Sequence, residues 1–167
     1  YAYGGAVAAS SYLLRRRYRL SAEVFYKRLY HQVEYQGNIL DLVNTEYNLD
    51  NCLIHGNGSN CGFSVMLNKC SGNLKGWIAY SYTYARRRFA ELADNRKYPA
   101  SHERPHEINS LVTYSLPGHW SFGGTVVFAS GTPFTAPLSM ELVNGNIVSQ
   151  YGPFNGNRLK PYFRLDA

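Results

Sequence analysis

Residues 74–89 read LKGWIAYSYTYARRRF. Successive side chains of an extended strand point to opposite faces, so the stretch sorts itself into two sets. Leu74, Ile78, Tyr80, Tyr82 and Tyr84 share one face; Lys75, Trp77, Ala79, Ser81, Thr83 and Ala85 share the other. The first set is greasy and aromatic, the second mostly small and polar. A helix would scatter these tyrosines around its circumference, because its period is about 3.6 residues rather than 2. The alternation holds over positions 74–84, matching the roughly 9–11 residues that a tilted strand needs to cross a bilayer.

The same pattern recurs on both sides of this stretch. Residues 107–116 put Ile108, Val112, Tyr114 and Leu116 on one face and Glu107, Asn109, Thr113 and Ser115 on the other. Residues 119–130 put Trp120, Phe122, Val126 and Phe128 opposite Ser121, Gly123 and Thr125. Residues 18–35 set Tyr18, Leu20, Ala22, Val24 and Tyr26 against Arg19, Ser21 and Glu23, and residues 62–69 set Phe63, Val65 and Leu67 against Ser64 and Asn68. Trp77, Tyr84, Tyr114 and Trp120 fall near strand ends, where an aromatic ring with one apolar and one wet end suits a membrane interface.

Connections alternate in length. Short turns are expected at 13–17, 71–73 and 117–119, and long polar links at 36–57, 90–105 and 131–159. Short turns at one end and long loops at the other are the habit of bacterial outer-membrane barrels, whose long loops lie outside. Composition agrees: charged residues are 17%, aromatics 15%, with 15 Tyr and 15 Gly, against about 25% charged in ordinary soluble domains. No run approaches the roughly 18 apolar residues of a membrane helix. The fold expected is all-β, an antiparallel transmembrane sheet of about seven strands with polar loops. A soluble β-sandwich adhesin with its Tyr faces in a dry core is the alternative.

Several motifs carry less than they promise. HERPH, residues 102–106, has the H-E-x-x-H spacing of zinc proteases. That chemistry needs both histidines on one helix face, whereas Pro105 lacks an amide proton and disfavours helical geometry at Arg104. HERPH reads instead as a polar loop descending into a strand, and no enzymatic activity is expected. GNGSNCG, residues 56–62, has the wrong spacing for a nucleotide loop and precedes a strand rather than a helix; its composition suggests a flexible loop. Cys52, Cys61 and Cys70 are too widely spaced for a typical zinc site; Cys52 and Cys61 could meet across an outer loop, and Cys70 is expected unpaired within the chain. Neither metal nor cofactor is expected. The net charge of +6 gathers largely in Arg15–Arg17 and Arg86–Arg88 at the ends of alternating segments, a rim placement rather than a nucleic-acid surface.

Four stretches together resemble the C-terminal barrel region of TonB-dependent outer-membrane receptors, especially those abundant in Bacteroidetes. GNGSNCGFSVMLNKCSGNLKGWIAYSYTYARRRF is similar to a G-x-G-x-x-x-G strand, a short turn and a G-W strand with a tyrosine- and serine-rich face. HERPHEIN resembles the family's D-R-R-H-x-x-N, with Arg104, His106 and Asn109 in place, Glu103 for the acid and Pro105 departing from the second arginine. WSFGGTVVFASGTPFTAP is similar to a strand ending in S-G-T-P-x-T. NGNRLKPYFRLDA resembles N-x-x-R-L-P-x-Y-x-R-L-D, with Lys160 where proline is usual.

The resemblance implies a section of a plugged barrel of about 22 strands in the outer membrane. Such a barrel imports a scarce nutrient (siderophore, cobalamin, glycan or peptide) with energy relayed by TonB. Residues 1–167 would be part of its barrel domain, with the plug, its TonB-contacting segment and the closing strands elsewhere in a longer protein. A passive pore or structural barrel would share the alternation but lack the plug. Ile78, Tyr80, Tyr82, Val112, Tyr114, Phe122, Val126 and Phe128 are expected to face lipid. Arg86, Arg87 and Arg88 are expected at the outer rim against lipopolysaccharide phosphates, and Tyr98, Tyr151, Phe154 and Arg158 are candidate ligand contacts on the long loops. Expected partners are outer-membrane lipid and lipopolysaccharide, the rest of the barrel and its plug, the TonB system, and a surface lipoprotein in some such receptors.

Overall fold

The computed structural model describes residues 1–35, 53–143 and 146–167. Its strands are β1 (Ala2–Leu13), β2 (Tyr18–Tyr35), β3 (Leu53–Lys69), β4 (Leu74–Phe89), β5 (Tyr98–Pro99), β6 (His106–Ser115), β7 (Ser121–Ala129), β8 (Pro133–Phe134), β9 (Pro137–Val143), β10 (Asn146–Tyr151), β11 (Asn157–Arg158) and β12 (Tyr162–Asp166). One antiparallel eight-stranded sheet runs in the order β1-β2-β3-β4-β6-β7-β12, with β5 added beside β4. The pairs β9–β10 and β8–β11 fold within the long link between β7 and β12. The sheet is open, with β1 and β12 as its edges.

Period-two patterning fixes the register, because a one-residue slip would turn every aromatic residue to the wrong face. Val7, Val24, Phe63, Tyr82 and His106 form one cross-strand row. The next row holds Val65, Tyr80, Ile108, Phe128 and Phe163. Leu20, Leu67, Ile78, Val126 and Leu165 belong to the row after that. These residues make one continuous apolar and aromatic face. The opposite face carries small and polar residues such as Ala79, Ser81, Ser64, Glu23, Asn109 and Thr125.

Strand β3 begins at Leu53, well before the alternation that starts at Gly62, so GNGSNCG is strand rather than loop. Composition misleads here because the glycines are places where neighbours lie over the backbone. A Cβ at Gly62 would strike the Tyr82 carbonyl and come within 2.9 Å of the Phe25 ring; one at Gly56 would come within 2.5 Å of the Phe89 ring. The strand keeps its ladder and gives up side-chain volume to large residues beside it. The segment 36–52 of the long link expected at 36–57, including Cys52, lies outside the described residues.

The turn between β1 and β2 has Leu14, Arg15 and Arg16 all at positive φ (49°, 54° and 65°). That geometry matches the twist of a tight hairpin, which normally recruits Asn or Gly. Non-glycine residues there cost about 1–2 kcal/mol each.

Among the described residues the buried side chains gather at the end of the sheet that bears the long links, with Gly62 buried midway along β3. They include Ile54, Phe89, Tyr98, Ala85, Ala100 and Ala129, with Glu103 and Asn155 the buried polar residues. Through the middle of the sheet no second layer of described residues covers either face. From the middle of the sheet to its short-turn end, Val24, Ile78, Val112 and Phe122 are 46–62% exposed.

Candidate functional site

The long-link end is where the chain builds a site. Phe89 ends β4 and Tyr98 opens β5; their rings stack at 6.3 Å, and Phe154 meets Tyr98 edge-on at 4.8 Å. Ile54, Leu92 and Ala93 complete this cluster. The Tyr98 hydroxyl is buried and finds no hydrogen-bond partner among the described residues. Its pKa is pushed up to about 12, chiefly by burial and further by the charge of Glu34, against an opposing pull from Arg87.

Beside the cluster, the link after β5 swings away from β4 at residues 100–105 and would leave the Ala85 amide without a ladder partner. Glu103 fills the gap. Its carboxylate accepts from the Ala85 N–H at 2.9 Å and from Arg86 Nη1 at 3.0 and 3.1 Å, and pairs with Arg158 Nη2. Arg158 also donates to the Gly131 carbonyl at 3.2 Å. The Glu103 side chain is completely buried, and a buried carboxylate persists only when paired and hydrogen-bonded. Asn155 makes the second tie: its side-chain amide donates to the Pro99 carbonyl at 2.9 Å and to Ser101 Oγ at 3.1 Å. Its backbone N–H donates to Thr135 Oγ1 at 2.9 Å. Glu103 and Asn155 thus sew the links 90–105 and 131–159 to the sheet and to each other.

The HERPH stretch is resolved by these contacts. The Glu103 carboxylate is held by two arginines and a backbone amide. His106 lies at the start of β6, its Nδ1 2.8 Å from the Tyr80 hydroxyl and its ring 5.3 Å from that of Tyr82. Among the described residues no group of three or more His, Cys, Asp or Glu could hold a metal ion. Cys61 and Cys70 are free thiols.

The arginine triplet is split by strand alternation. Arg86 and Arg88 share the side of β4 that carries Tyr84, with the Arg86 guanidinium 4.1 Å from the Tyr84 ring centre. Arg87 lies across Gly58 on the other side and donates to Asn60 Oδ1 at 2.7 Å. Arg88 donates to the carbonyl and the side-chain oxygen of Asn95, both at 3.0 Å. Arg28, Arg86, Arg87, Arg88 and Lys97, with Tyr26, line a cationic cavity of about 240 Å³ just beyond the aromatic band.

Of the candidate ligand contacts, Tyr98 and Phe154 are partners in the buried cluster and Arg158 is engaged by Glu103, while Tyr151 is 64% exposed. Ile78, Tyr80, Tyr82, Val112, Tyr114, Phe122, Val126 and Phe128 do share one face. Arg28 and Lys97 were not singled out from the sequence, whereas Glu103 and Asn155 were met there only as positions of the family-like motifs, without their contacts. Arg28 was accessible in principle, being next after Tyr26 on the aromatic face. Glu103 and Asn155 act through contacts between distant links and leave no local signal. No family model matches the chain, and searches of curated proteins and of solved structures return no match.

Proposed function

We propose that this chain is a section of the transmembrane wall of an outer-membrane nutrient importer of the TonB-dependent receptor type, performing no covalent chemistry. The observation that carries the reading is the single-layer sheet whose one face is continuously apolar yet uncovered. A sheet must bury such a face against something, and lipid is the partner that demands no second layer. The apolar positions of β4 run from Leu74 to Tyr84; at about 3.3 Å per residue and a tilt near 45° they rise about 25 Å, the height of an outer-membrane apolar band. The small-residue face then looks into the lumen, toward a plug.

The open edges of β1 and β12 fit the same reading, because unpaired backbone groups are not tolerated in lipid and further strands of the barrel would pair with them. The links held by Glu103 and Asn155 form the outer mouth. The cationic cavity of Arg28, Arg86, Arg88 and Lys97 lies above the Tyr26 and Tyr84 girdle, where lipopolysaccharide phosphates sit. The four sequence stretches that resemble the receptor family support energised import over a passive pore.

The test uses the full-length protein. It should fractionate with the outer membrane, migrate faster unheated than boiled in dodecyl sulfate gels, and be retained by the periplasmic domain of TonB. Outer-membrane fractionation without TonB retention would leave a passive pore; a buffer-soluble protein would overturn the membrane reading altogether.

A further inference from the structure

The opposite end of the same face carries a feature that the import reading does not use. On the aromatic face the cross-strand row Tyr18, Lys69, Gly76, Val112 follows the row Leu20, Leu67, Ile78, Ser110. Gly76 has no side chain, and a Cβ there would strike the Leu111 carbonyl, so the position stays empty. Between Leu67, Leu74, Ile78 and Val112 this leaves an open groove of about 330 Å³, almost wholly apolar, with Tyr18 and Lys69 at its end. Ligand-sized clefts begin at roughly 300 Å³.

Tyr18 and Lys69 also line the adjoining hollow, whose other walls are Leu14, Arg15 and Arg17. The Lys69 ammonium sits 4.9 Å above the Tyr18 ring, a cation–π contact that holds the charge at the groove's mouth. A strongly cationic hollow therefore opens directly into an apolar slot on one face of the sheet. The turn supplying the cations keeps Leu14, Arg15 and Arg16 at positive φ, where Asn or Gly would be relaxed. Strain retained in a turn points to a use for the residues that bear it.

We propose that this end of the sheet holds one anionic phospholipid of the inner leaflet. Its phosphate lies among Arg15, Arg17 and Lys69, and one acyl chain lies in the groove between Leu67, Leu74, Ile78 and Val112. The proposal rests on the transmembrane reading above and adds a defined lipid partner to it. A phosphate diester supplies the anion and an acyl chain fills the slot, and only a molecule carrying both satisfies the two halves of the site. Charge and shape complementarity thus select a phospholipid with a net negative headgroup over a neutral one.

The test titrates delipidated full-length protein in detergent with phosphatidylglycerol, phosphatidylcholine or inorganic phosphate and counts retained adducts by native mass spectrometry. Phosphatidylglycerol should be retained at least tenfold more strongly than phosphatidylcholine, and inorganic phosphate not at all. The variant Arg15→Asn, Arg16→Gly, Arg17→Gln, Lys69→Gln removes all three phosphate contacts and gives the turn residues it prefers, so a loss of binding in it is no folding failure of the turn; the headgroup preference should vanish. Ile78→Trp leaves the cations in place and fills the groove, and it should weaken retention of both lipids. Equal retention of the two lipids by the unaltered protein, or an undiminished preference in the charge variant, would overturn the proposal. Retention of inorganic phosphate as strong as that of phosphatidylglycerol would do so too, by making the hollow a soluble-anion site. The transmembrane reading fails separately, if the protein needs no detergent to stay in solution.

Discussion

Removing the Glu103 carboxylate should loosen the long links while sparing the sheet. Glu103→Ala strands three donors at once: the Ala85 amide, Arg86 and Arg158. Breaking one partner out of a buried pair costs about 3–5 kcal/mol. Here the two arginine side chains are 21% and 37% exposed and can turn toward water, so the lower bound applies. About 3 kcal/mol is a little over a hundredfold in a local opening equilibrium. The readout is amide hydrogen exchange of the full-length protein in micelles. The amides of Ala85, Ala100 and Leu159, which donate to Glu103 and to the Ala85 and Thr132 carbonyls, should exchange about a hundredfold faster. Amides in the middle of β3 and β4 should keep their rates. Glu103→Gln retains an acceptor for Ala85 and loses only the charge, so its effect should be smaller, about 1.5–3 kcal/mol. Unchanged exchange at Ala85 and Leu159 in the alanine variant would refute the argument that this carboxylate holds the links.

Three further outcomes follow from other parts of the sheet and its links. The Tyr98 proton should be lost only near pH 12 instead of near the ordinary 10. Stability from the neutral ring is therefore full below about pH 10 and lost as pH rises through about 12; the difference in ultraviolet titration between the unaltered protein and Tyr98→Phe measures it. Gly62→Ala drives a methyl group into the Tyr82 carbonyl and the Phe25 ring and should lower stability by about 1–3 kcal/mol. Gly5→Ala meets open space and should not destabilise, a contrast readable in urea midpoints. Replacing Arg28, Arg88 and Lys97 by Gln while keeping Arg86 on Glu103 should reduce co-purifying lipopolysaccharide; unchanged content would count against contact between that cavity and its phosphates.

The strands were legible wherever alternating side chains declared the two faces, and β4 matches its expected span of 74–89 to the residue. The pattern fails where glycine replaces the side chains that would carry it, which is why the first half of β3 reads as loop. It fails again at Arg86–Arg88: the triplet looks like one basic patch, yet alternation sends Arg87 to the opposite face. Glu103 was hidden for a different reason. Its partners Arg86 and Arg158 lie 17 and 55 residues away, and nothing in HERPH says that the swing of residues 100–105 strands an amide of β4. The short pairs β8–β11 and β9–β10 likewise depend on contacts within a long link, not on a repeating local signal.

In a transmembrane wall the two faces of β4 meet different solvents. Spin labels placed singly at Ile78, Tyr80 and Tyr82, then at Ala79, Ser81 and Thr83, in full-length protein with its native thiols replaced and reconstituted in bilayers, test it directly. Oxygen concentrates in lipid and a nickel chelate in water, so their relaxing effects should alternate with a period of two. The even positions should respond to oxygen and the odd positions to nickel or to neither. Even positions as open to the nickel chelate as the odd ones, or buried from both reagents, would contradict the transmembrane reading.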